Sequence, residues 1–158
     1  MSSVLAHALS ASWVAVTFAQ VAPSETPYLL VAAASATALD LDHTIFVIRD
    51  RAIYRRTGYQ GHLHRARSAF HELLGLMLAG IISGLVFFAD PKLARVIFIA
   101  FAIHVVQDWM LGKAYPLAPT DSTETQFFAL TFRQKVFVDL VGVTVFGILW
   151  IIYLAGGG

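Results

Sequence analysis

Long apolar runs, separated by short polar stretches, are the feature that most constrains how this chain can fold. Each run approaches the roughly 20 residues that a helix needs to cross a bilayer. Of the 158 residues, 58% are hydrophobic and 13% are charged, whereas a soluble domain usually has about a quarter charged residues. The sequence therefore predicts an all-α integral membrane protein, a single domain over residues 1–158 that forms a bundle of about five transmembrane helices. The predicted spans cover about residues 3–22, 27–48, 68–88, 91–111 and 135–154.

The polar breaks between the runs contain residues that end and restart helices. Pro23 and Pro27 in "PSETP" separate the first two spans, because proline is tolerated only near a helix start. Pro91 in "ADPK" fits the first position of the fourth span. The segment "TETQFFALTF" before the fifth span predicts a short interfacial helix. The N-terminus lacks the positive region of a signal peptide, so we interpret it as a retained first helix.

The basic residues are concentrated between alternate spans. Since positively charged loops remain cytoplasmic, the prediction is a cytoplasmic N-terminus and a multi-pass plasma membrane protein, in a bacterial inner or an archaeal membrane. Lys92 and Arg95 alone lie on the opposite side. No basic tail indicates a nucleic-acid partner, and the absence of cysteine excludes thiolate metal sites. The other nine of the 11 basic residues are Arg49, Arg51, Arg55, Arg56, Arg65, Arg67, Lys113, Arg133 and Lys135.

Ionisable side chains occur at a similar predicted depth in four of the spans, near the cytoplasmic face. Charged groups within a membrane are costly and often functional, so their agreement in depth indicates a common site. Asp40 and His43 are three residues apart and share a helix face, as do His104 and Asp108, four apart. The full set is Asp40, Asp42, His43, His71, Glu72, His104, Asp108 and Asp139.

Carboxylates and imidazoles that converge from several helices are typical of metal sites in bundles. A divalent cation would compensate the buried carboxylates, and this ligand mixture suits zinc, manganese or iron. Structural alternatives remain open. His104 and Asp108 could be a hydrogen-bonded pair that locks two helices, and Asp139 could pair with Lys135. His7 has no companion nearby in the sequence, and we assign it no role.

Three short motifs resemble a known family. "LDLDH" is similar to the Pro-Asp-x-Asp-His stretch of the membrane-bound, metal-dependent hydrolase-like family, which includes LexA-regulated inner-membrane proteins; Leu39 replaces the proline. "HVVQD" followed by "GKAYPLAP" resembles the family's His-x-x-x-Asp element with its glycine and proline. "HRARSAFHELLG" resembles the middle His-Arg-x-x-x-His element, through either His64 with Arg65 or Arg67 with His71.

The resemblance implies metal-dependent hydrolysis of a phosphoester or lipid-like substrate at the cytoplasmic leaflet. In such a hydrolase, His43 or His104 is the candidate catalytic residue that orients ligands or acts as a general base. Arg65 and Arg67 are candidates for holding an anionic headgroup, since arginine pairs well with phosphate. The candidate metal ligands are Asp40, Asp42, His64, His71 and Asp108.

Other functions are compatible with the same residues. A non-enzymatic subunit of a larger membrane assembly, or a homo-oligomer, could retain the polar cluster as a structural element. A membrane di-iron oxygenase is disfavoured, because the chain has six histidines and none of the His-x-x-x-His or His-x-x-His-His boxes. A continuous proton pathway is disfavoured too, since the ionisable residues lie near one face only.

The predicted orientation can be tested by cysteine labelling, because the natural chain has no cysteine. Single substitutions Ser2→Cys and Gln60→Cys should react only after the membrane is permeabilised. Asp90→Cys and Gly157→Cys should react in intact cells with an impermeant maleimide. Labelling of the residue 60 variant from outside would contradict the orientation.

Overall fold

A computed structural model describes residues 4–41, 69–121 and 123–156 of this protein, and helices make up nearly all the regular structure within these ranges. Within these ranges the only strand-like pairing is one isolated antiparallel bridge between Ala114 and Thr125. The all-α prediction is therefore confirmed for the described part of the chain. The helices are α1 (Val4–Phe18), α2 (Thr26–Thr37), α3 (Leu73–Phe87), α4 (Pro91–Leu111) and α5 (Phe132–Ala155), with a 3-10 turn, Ala69–His71, before α3.

Two of these helices are long and apolar enough to cross a membrane. Helices α4 and α5 have 21 and 24 residues, which at about 1.5 Å per residue exceeds a hydrocarbon core of about 30 Å. Helices α1 and α3 are apolar but have 15 residues each, and α2 has 12. The predicted second span continues past residue 41 into a segment outside the described residues. Five spans therefore stay a prediction.

The core of the bundle is built from small side chains. Helices α1, α2 and α4 pack against one another through fully buried alanines, among them Ala11 and Ala15 of α1, Ala32 and Ala36 of α2, and Ala100 of α4. Small residues let helix backbones approach closely, which is how membrane helices gain packing energy without a hydrophobic driving force. Helix α3 packs against α4, and α5 packs against α1.

Polar contacts at one end of the bundle join the α1–α2 turn to the start of α4 and to the end of α5. Lys92 Nζ at the start of α4 lies 2.8 Å from Glu25 Oε2 in the α1–α2 turn. The Tyr28 hydroxyl donates a hydrogen bond of 2.7 Å to Asp90, and the Tyr153 hydroxyl near the end of α5 donates to the Val21 carbonyl. Consecutive helices therefore run antiparallel, and the ionisable ends of α1, α2, α3 and α4 meet at the opposite end of the bundle.

Two helix starts show how local sequence sets the boundaries. Asp90 caps α4 by accepting hydrogen bonds from the Lys92 and Leu93 backbone amides, at 3.0 and 2.9 Å, and Pro91 occupies the first helical turn as predicted. Thr131 and Gln134 form a capping box that starts α5 at Phe132.

The prediction of an interfacial helix over "TETQFFALTF" is wrong. Residues 123–131 contain no helix in the structure. The Thr125 backbone instead exchanges two 2.8 Å hydrogen bonds with Ala114, so its amide and carbonyl are taken by another segment. The capping box at Thr131 then fixes the first residue at which a helix can begin.

A close approach of two backbone segments explains Gly75 in the first turn of α3. A Cβ atom at this position would lie 1.8 Å from the Phe70 carbonyl oxygen, which belongs to the 3-10 turn that ends at His71. Only glycine allows the turn to fold back onto the helix at this distance. The position of His71 therefore depends on the absence of a side chain at residue 75.

The Asp90 cap makes part of the stability pH-dependent. The Leu93 amide and the Tyr28 hydroxyl hold the pKa of Asp90 below its ordinary value of 3.8. The carboxylate therefore stabilises the fold above that value, and its contribution is lost as the pH falls through the lower folded pKa. Asp90→Asn should melt at a lower temperature than the natural protein in detergent near pH 7, and the gap should narrow as the pH falls below 3.8 through the folded pKa. A gap that stays equally wide as the pH falls would contradict this role for the charge.

The Gly75 contact can be tested through the burial of His71, which is fully buried in the structure. Gly75→Ala should displace the 3-10 turn and make His71 reactive toward diethylpyrocarbonate, as measured by mass spectrometry. The matched control is Gly84→Ala in the same helix, where an added Cβ meets no atom within 4 Å. Equal His71 protection in both variants would show that the turn does not depend on Gly75.

Candidate metal centre

Five buried ionisable side chains meet at one end of the bundle. They come from four separate segments: the first turn of α1, the residues after α2, the 3-10 turn and the last two turns of α4. Their exposed fractions range from 0% to 7%, so the cluster is shielded from solvent in the described part of the structure. The five are His7, Asp40, His71, His104 and Asp108.

His7 lies between the two carboxylates. Its Nδ1 atom is 3.2 Å from Asp40 Oδ2, and its Nε2 atom is 3.7 Å from Asp108 Oδ1. The first distance is a hydrogen bond and the second is too long for one. His7 therefore links the carboxylate that follows α2 to the carboxylate of α4.

His104 is the central side chain of the cluster. Its ring centroid is 4.0 Å from that of His7 and 5.7 Å from that of His71. Its Nε2 atom lies 3.7 Å from Asp108 Oδ2 and 3.9 Å from Asp40 Oδ1. The predicted pairing of His104 with Asp108 along one helix face is thus part of a larger group.

A hydrogen bond to the backbone fixes the orientation of the His104 ring. Nδ1 lies 2.6 Å from the Ala36 carbonyl oxygen of α2. Since a carbonyl can only accept, Nδ1 carries the proton. In the neutral ring Nε2 then has a free lone pair directed toward the two carboxylates, which is the arrangement found for histidine metal ligands held by a second hydrogen bond.

The donor atoms are close enough to share an ion. Among the described residues, two groups have ligand atoms that all lie within 4.8 Å of one another: His7, Asp40 and His104, and His71, His104 and Asp108. Both groups contain His104, and one imidazole nitrogen can bind only one ion at a time. The geometry therefore fits one ion at a time on His104, with further ligands from either group.

The electrostatics of the cluster also fit a cation. Within the described part of the chain, the buried Nε2 atoms of His7 and His104 have no hydrogen-bond partner, a state that costs about 1–3 kcal/mol for a buried polar atom. Two carboxylates lie beside them, and a buried carboxylate is stable only when paired or bound to a metal. Imidazole nitrogens with carboxylate oxygens suit zinc, manganese or iron.

Glu72 is buried next to the cluster but has a different role. Its carboxylate accepts hydrogen bonds from Trp109 Nε1 at 2.8 Å and from the Tyr115 amide at 2.9 Å. Leu73 also donates its amide hydrogen to the Pro116 carbonyl. Glu72 therefore ties the start of α3 to the end of α4 and to the loop that follows.

The structure brings together four of the residues singled out from the sequence: Asp40, His71, His104 and Asp108. Asp139 belongs to neither ligand group and lines a groove between α1, α4 and α5. The other predicted site residues lie outside the described part of the chain; they are Asp42, His43, His64, Arg65 and Arg67.

Sequence analysis missed His7. Its hydrogen-bond partner, Asp40, is 33 residues away, and its other neighbour belongs to α4, so no local spacing identifies it. The available indication was its position: an ionisable side chain in the first turn of an apolar run belongs at the same end of an antiparallel bundle as the ends of the second and fourth runs.

Comparison with known proteins identifies the family of this chain. No curated protein and no solved structure matches the chain significantly. One family model does, that of the YdjM inner membrane protein, and its match covers residues 1–156. The two spanning-length helices agree with a membrane location. Since the match extends over almost the whole sequence, the chain belongs to the YdjM inner membrane protein family.

Proposed function

We propose that this protein is a metal-dependent hydrolase that acts on a phosphoester or lipid-like substrate at the cytoplasmic face of the membrane. The observation that carries the proposal is the buried cluster of three imidazoles and two carboxylates, in which His104 belongs to both possible ligand groups. The resemblance of "LDLDH" and "HVVQD" to the metal-dependent hydrolase-like family supports the same function.

The residues that would hold the ion are the five of the cluster. Asp40 and Asp108 supply negative charge, which raises the affinity for a divalent cation. His7, His71 and His104 supply neutral nitrogen donors. We assign His104 to the metal rather than to general-base catalysis, because the Ala36 carbonyl fixes its Nδ1 proton and leaves Nε2 beside the carboxylates. Asp42 and His64 stay candidates from the sequence alone.

A bound divalent ion supplies Lewis acidity, which makes water acidic enough to serve as a nucleophile near neutral pH. The protein's own residues keep the ligands in place. The His7–Asp40 hydrogen bond orients both side chains across the α1–α2 interface. The Ala36 carbonyl orients His104 across the α2–α4 interface. Because all five side chains are buried, their electrostatic interactions with a bound ion are stronger than they would be in water.

The substrate class follows from the location of the cluster. It lies at the end of the bundle that the basic loops are predicted to place at the cytoplasmic leaflet. Arg65 and Arg67 are proposed from the sequence to hold an anionic group there, and His43 to act as the general base. A membrane-embedded site suits an amphipathic substrate, and the proposed role of the two arginines suits a phosphoester.

The second candidate function is a non-enzymatic membrane subunit. The same hydrogen bonds favour it, since His7–Asp40 and His104–Ala36 connect three helices. Such polar links are worth roughly 0.6–2 kcal/mol each between membrane helices. In this case the cluster would be structural and would require no ion.

Substitution of Asp108 separates the two functions. Asparagine keeps the side-chain shape and a carbonyl acceptor but removes the charge, so Asp108→Asn should abolish metal binding and leave the fold largely intact. Metal content should be measured by elemental analysis of purified protein after incubation with zinc or manganese. Asp90→Asn is the matched control, because it removes a carboxylate at the opposite end of the bundle.

A near-stoichiometric ion in the natural protein and in Asp90→Asn, lost in Asp108→Asn, is the expected result. His7→Gln should lose it too, although sequence analysis gave His7 no role. A natural protein that takes up no ion, combined with a lower melting temperature of Asp108→Asn in detergent, would contradict the hydrolase and favour the subunit.

A further inference from the structure

A groove between α1, α4 and α5 lies beside the metal cluster. It has a volume of about 220 Å³ and is open on one side. Its wall consists of one face of each helix: Ala6 and Ser10 of α1, four residues apart, positions 107, 110 and 111 of α4, and positions 138, 139, 142 and 146 of α5. Two residues of the wall, Ala6 and Gln107, directly precede His7 and Asp108 in the chain. The groove therefore adjoins the cluster.

Most of the groove wall is apolar, and its polar groups form a small set. Ser10, Gln107 and Asp139 are the polar side chains, whereas Met110, Val138 and the other lining residues are apolar. Gln107 Nε2 donates a 2.6 Å hydrogen bond to Ser10 Oγ, and Ser10 Oγ donates to the Ala6 carbonyl. These bonds use the hydroxyl hydrogen of Ser10 and one of the two N–H groups of Gln107.

The acceptor of Gln107 is different. Its Oε1 atom is buried and has no hydrogen-bond partner among the described residues. Buried side-chain acceptors are nearly always bonded in native proteins. Gln107 Oε1 therefore offers an acceptor at this groove. It suits a ligand that brings a donor, such as a hydroxyl or an amine.

The surroundings of the groove indicate the source of the ligand. Helix α5, which forms one wall, has no buried residue along its 24 positions, and its mean hydropathy is the higher of the two spanning-length helices. In a membrane the face of this helix that is turned away from α1 contacts lipid, so the groove borders the hydrocarbon region. An acyl chain can enter from the side, without crossing the polar end of the bundle.

We propose that this groove binds the acyl chain of a membrane lipid whose headgroup carries a hydrogen-bond donor, which it presents to Gln107. The inference rests on the proposed function in one respect, that the bound lipid lies next to the metal cluster and would be its substrate. Lipid binding itself requires only the groove.

Two glycines of α5 provide a matched pair of variants. Gly142 lines the groove and Gly147 does not, yet an added Cβ would meet no atom within 4 Å at either position. Gly142→Phe should fill the groove without a backbone clash, and Gly147→Phe adds the same side chain to the same helix outside it. Both full-length proteins should be placed in phospholipid nanodiscs that contain phosphatidylglycerol with a diazirine on its acyl chain.

After irradiation, the labelled peptides are quantified by mass spectrometry. The natural protein and Gly147→Phe should carry label on the α4 and α5 peptides that line the groove. Gly142→Phe should carry about fivefold less, which corresponds to roughly one lost methylene contact. Equal labelling of all three proteins, or label confined to other helices, would overturn the proposal. Cross-links between two copies of the chain through this face would also overturn it, in favour of a homo-oligomer.

The headgroup preference has its own test. Diazirine phosphatidylcholine has the same acyl chains but no donor in its headgroup. The natural protein should carry about fivefold more label from phosphatidylglycerol than from phosphatidylcholine, which corresponds to about one hydrogen bond. Gln107→Leu should remove this preference. Equal labelling by the two lipids in the natural protein would overturn the role of Gln107.

Metal content measured on the same samples separates this proposal from the hydrolase. Groove labelling in a protein that takes up no ion would support the lipid site and contradict the enzyme. A metal-loaded protein whose labelling Gly142→Phe leaves unchanged would contradict the lipid site alone.

Discussion

The hydrogen bond between His104 Nδ1 and the Ala36 carbonyl is the interaction on which the site depends. It is possible because α2 and α4 pack through alanines, which bring the Ala36 backbone within 2.6 Å of the imidazole. A larger side chain at these positions would separate the helices and remove the acceptor from reach. The bond turns Nε2 toward Asp40 and Asp108. The orientation of His104 toward the two carboxylates therefore depends on the close packing of α2 and α4.

The sequence predicted the parts of the site that follow a helical period or a shared depth. His104 and Asp108 are one turn apart in an apolar run, and antiparallel helices bring the end of the second run and the start of the third to the same level. Asp40 and His71 were placed with them for that reason, and the structure agrees. The all-helical character followed from the apolar runs in the same way.

Other features depend on contacts that no local pattern encodes. His7 acquires its role from carboxylates on two other segments, and its own neighbours in the sequence are apolar or small. The apolar residues of "TETQFFALTF" suggested a helix, but pairing of Thr125 with Ala114 and the cap at Thr131 gave a different backbone. Gly75 was not recognised as essential, because its constraint is a carbonyl five residues earlier.

The cluster and the groove divide the tasks that a membrane enzyme for lipid-like substrates must perform. Buried carboxylates and imidazoles would hold the ion, whereas the space between α1, α4 and α5 would hold an acyl chain taken from the bilayer. Gln107 and Asp108 are adjacent in α4. Gln107 lines the groove, and Asp108 belongs to the cluster. A bound lipid would therefore have its polar end close to the ligands without leaving the membrane.

The central claim is that imidazoles from separate helices bind one divalent ion, and X-ray absorption spectroscopy of the zinc-loaded protein tests it most directly. The account predicts nitrogen and oxygen ligands at about 2.0–2.2 Å, with the outer-shell scattering of two or three imidazoles. A spectrum with oxygen ligands alone and no imidazole scattering would contradict the account.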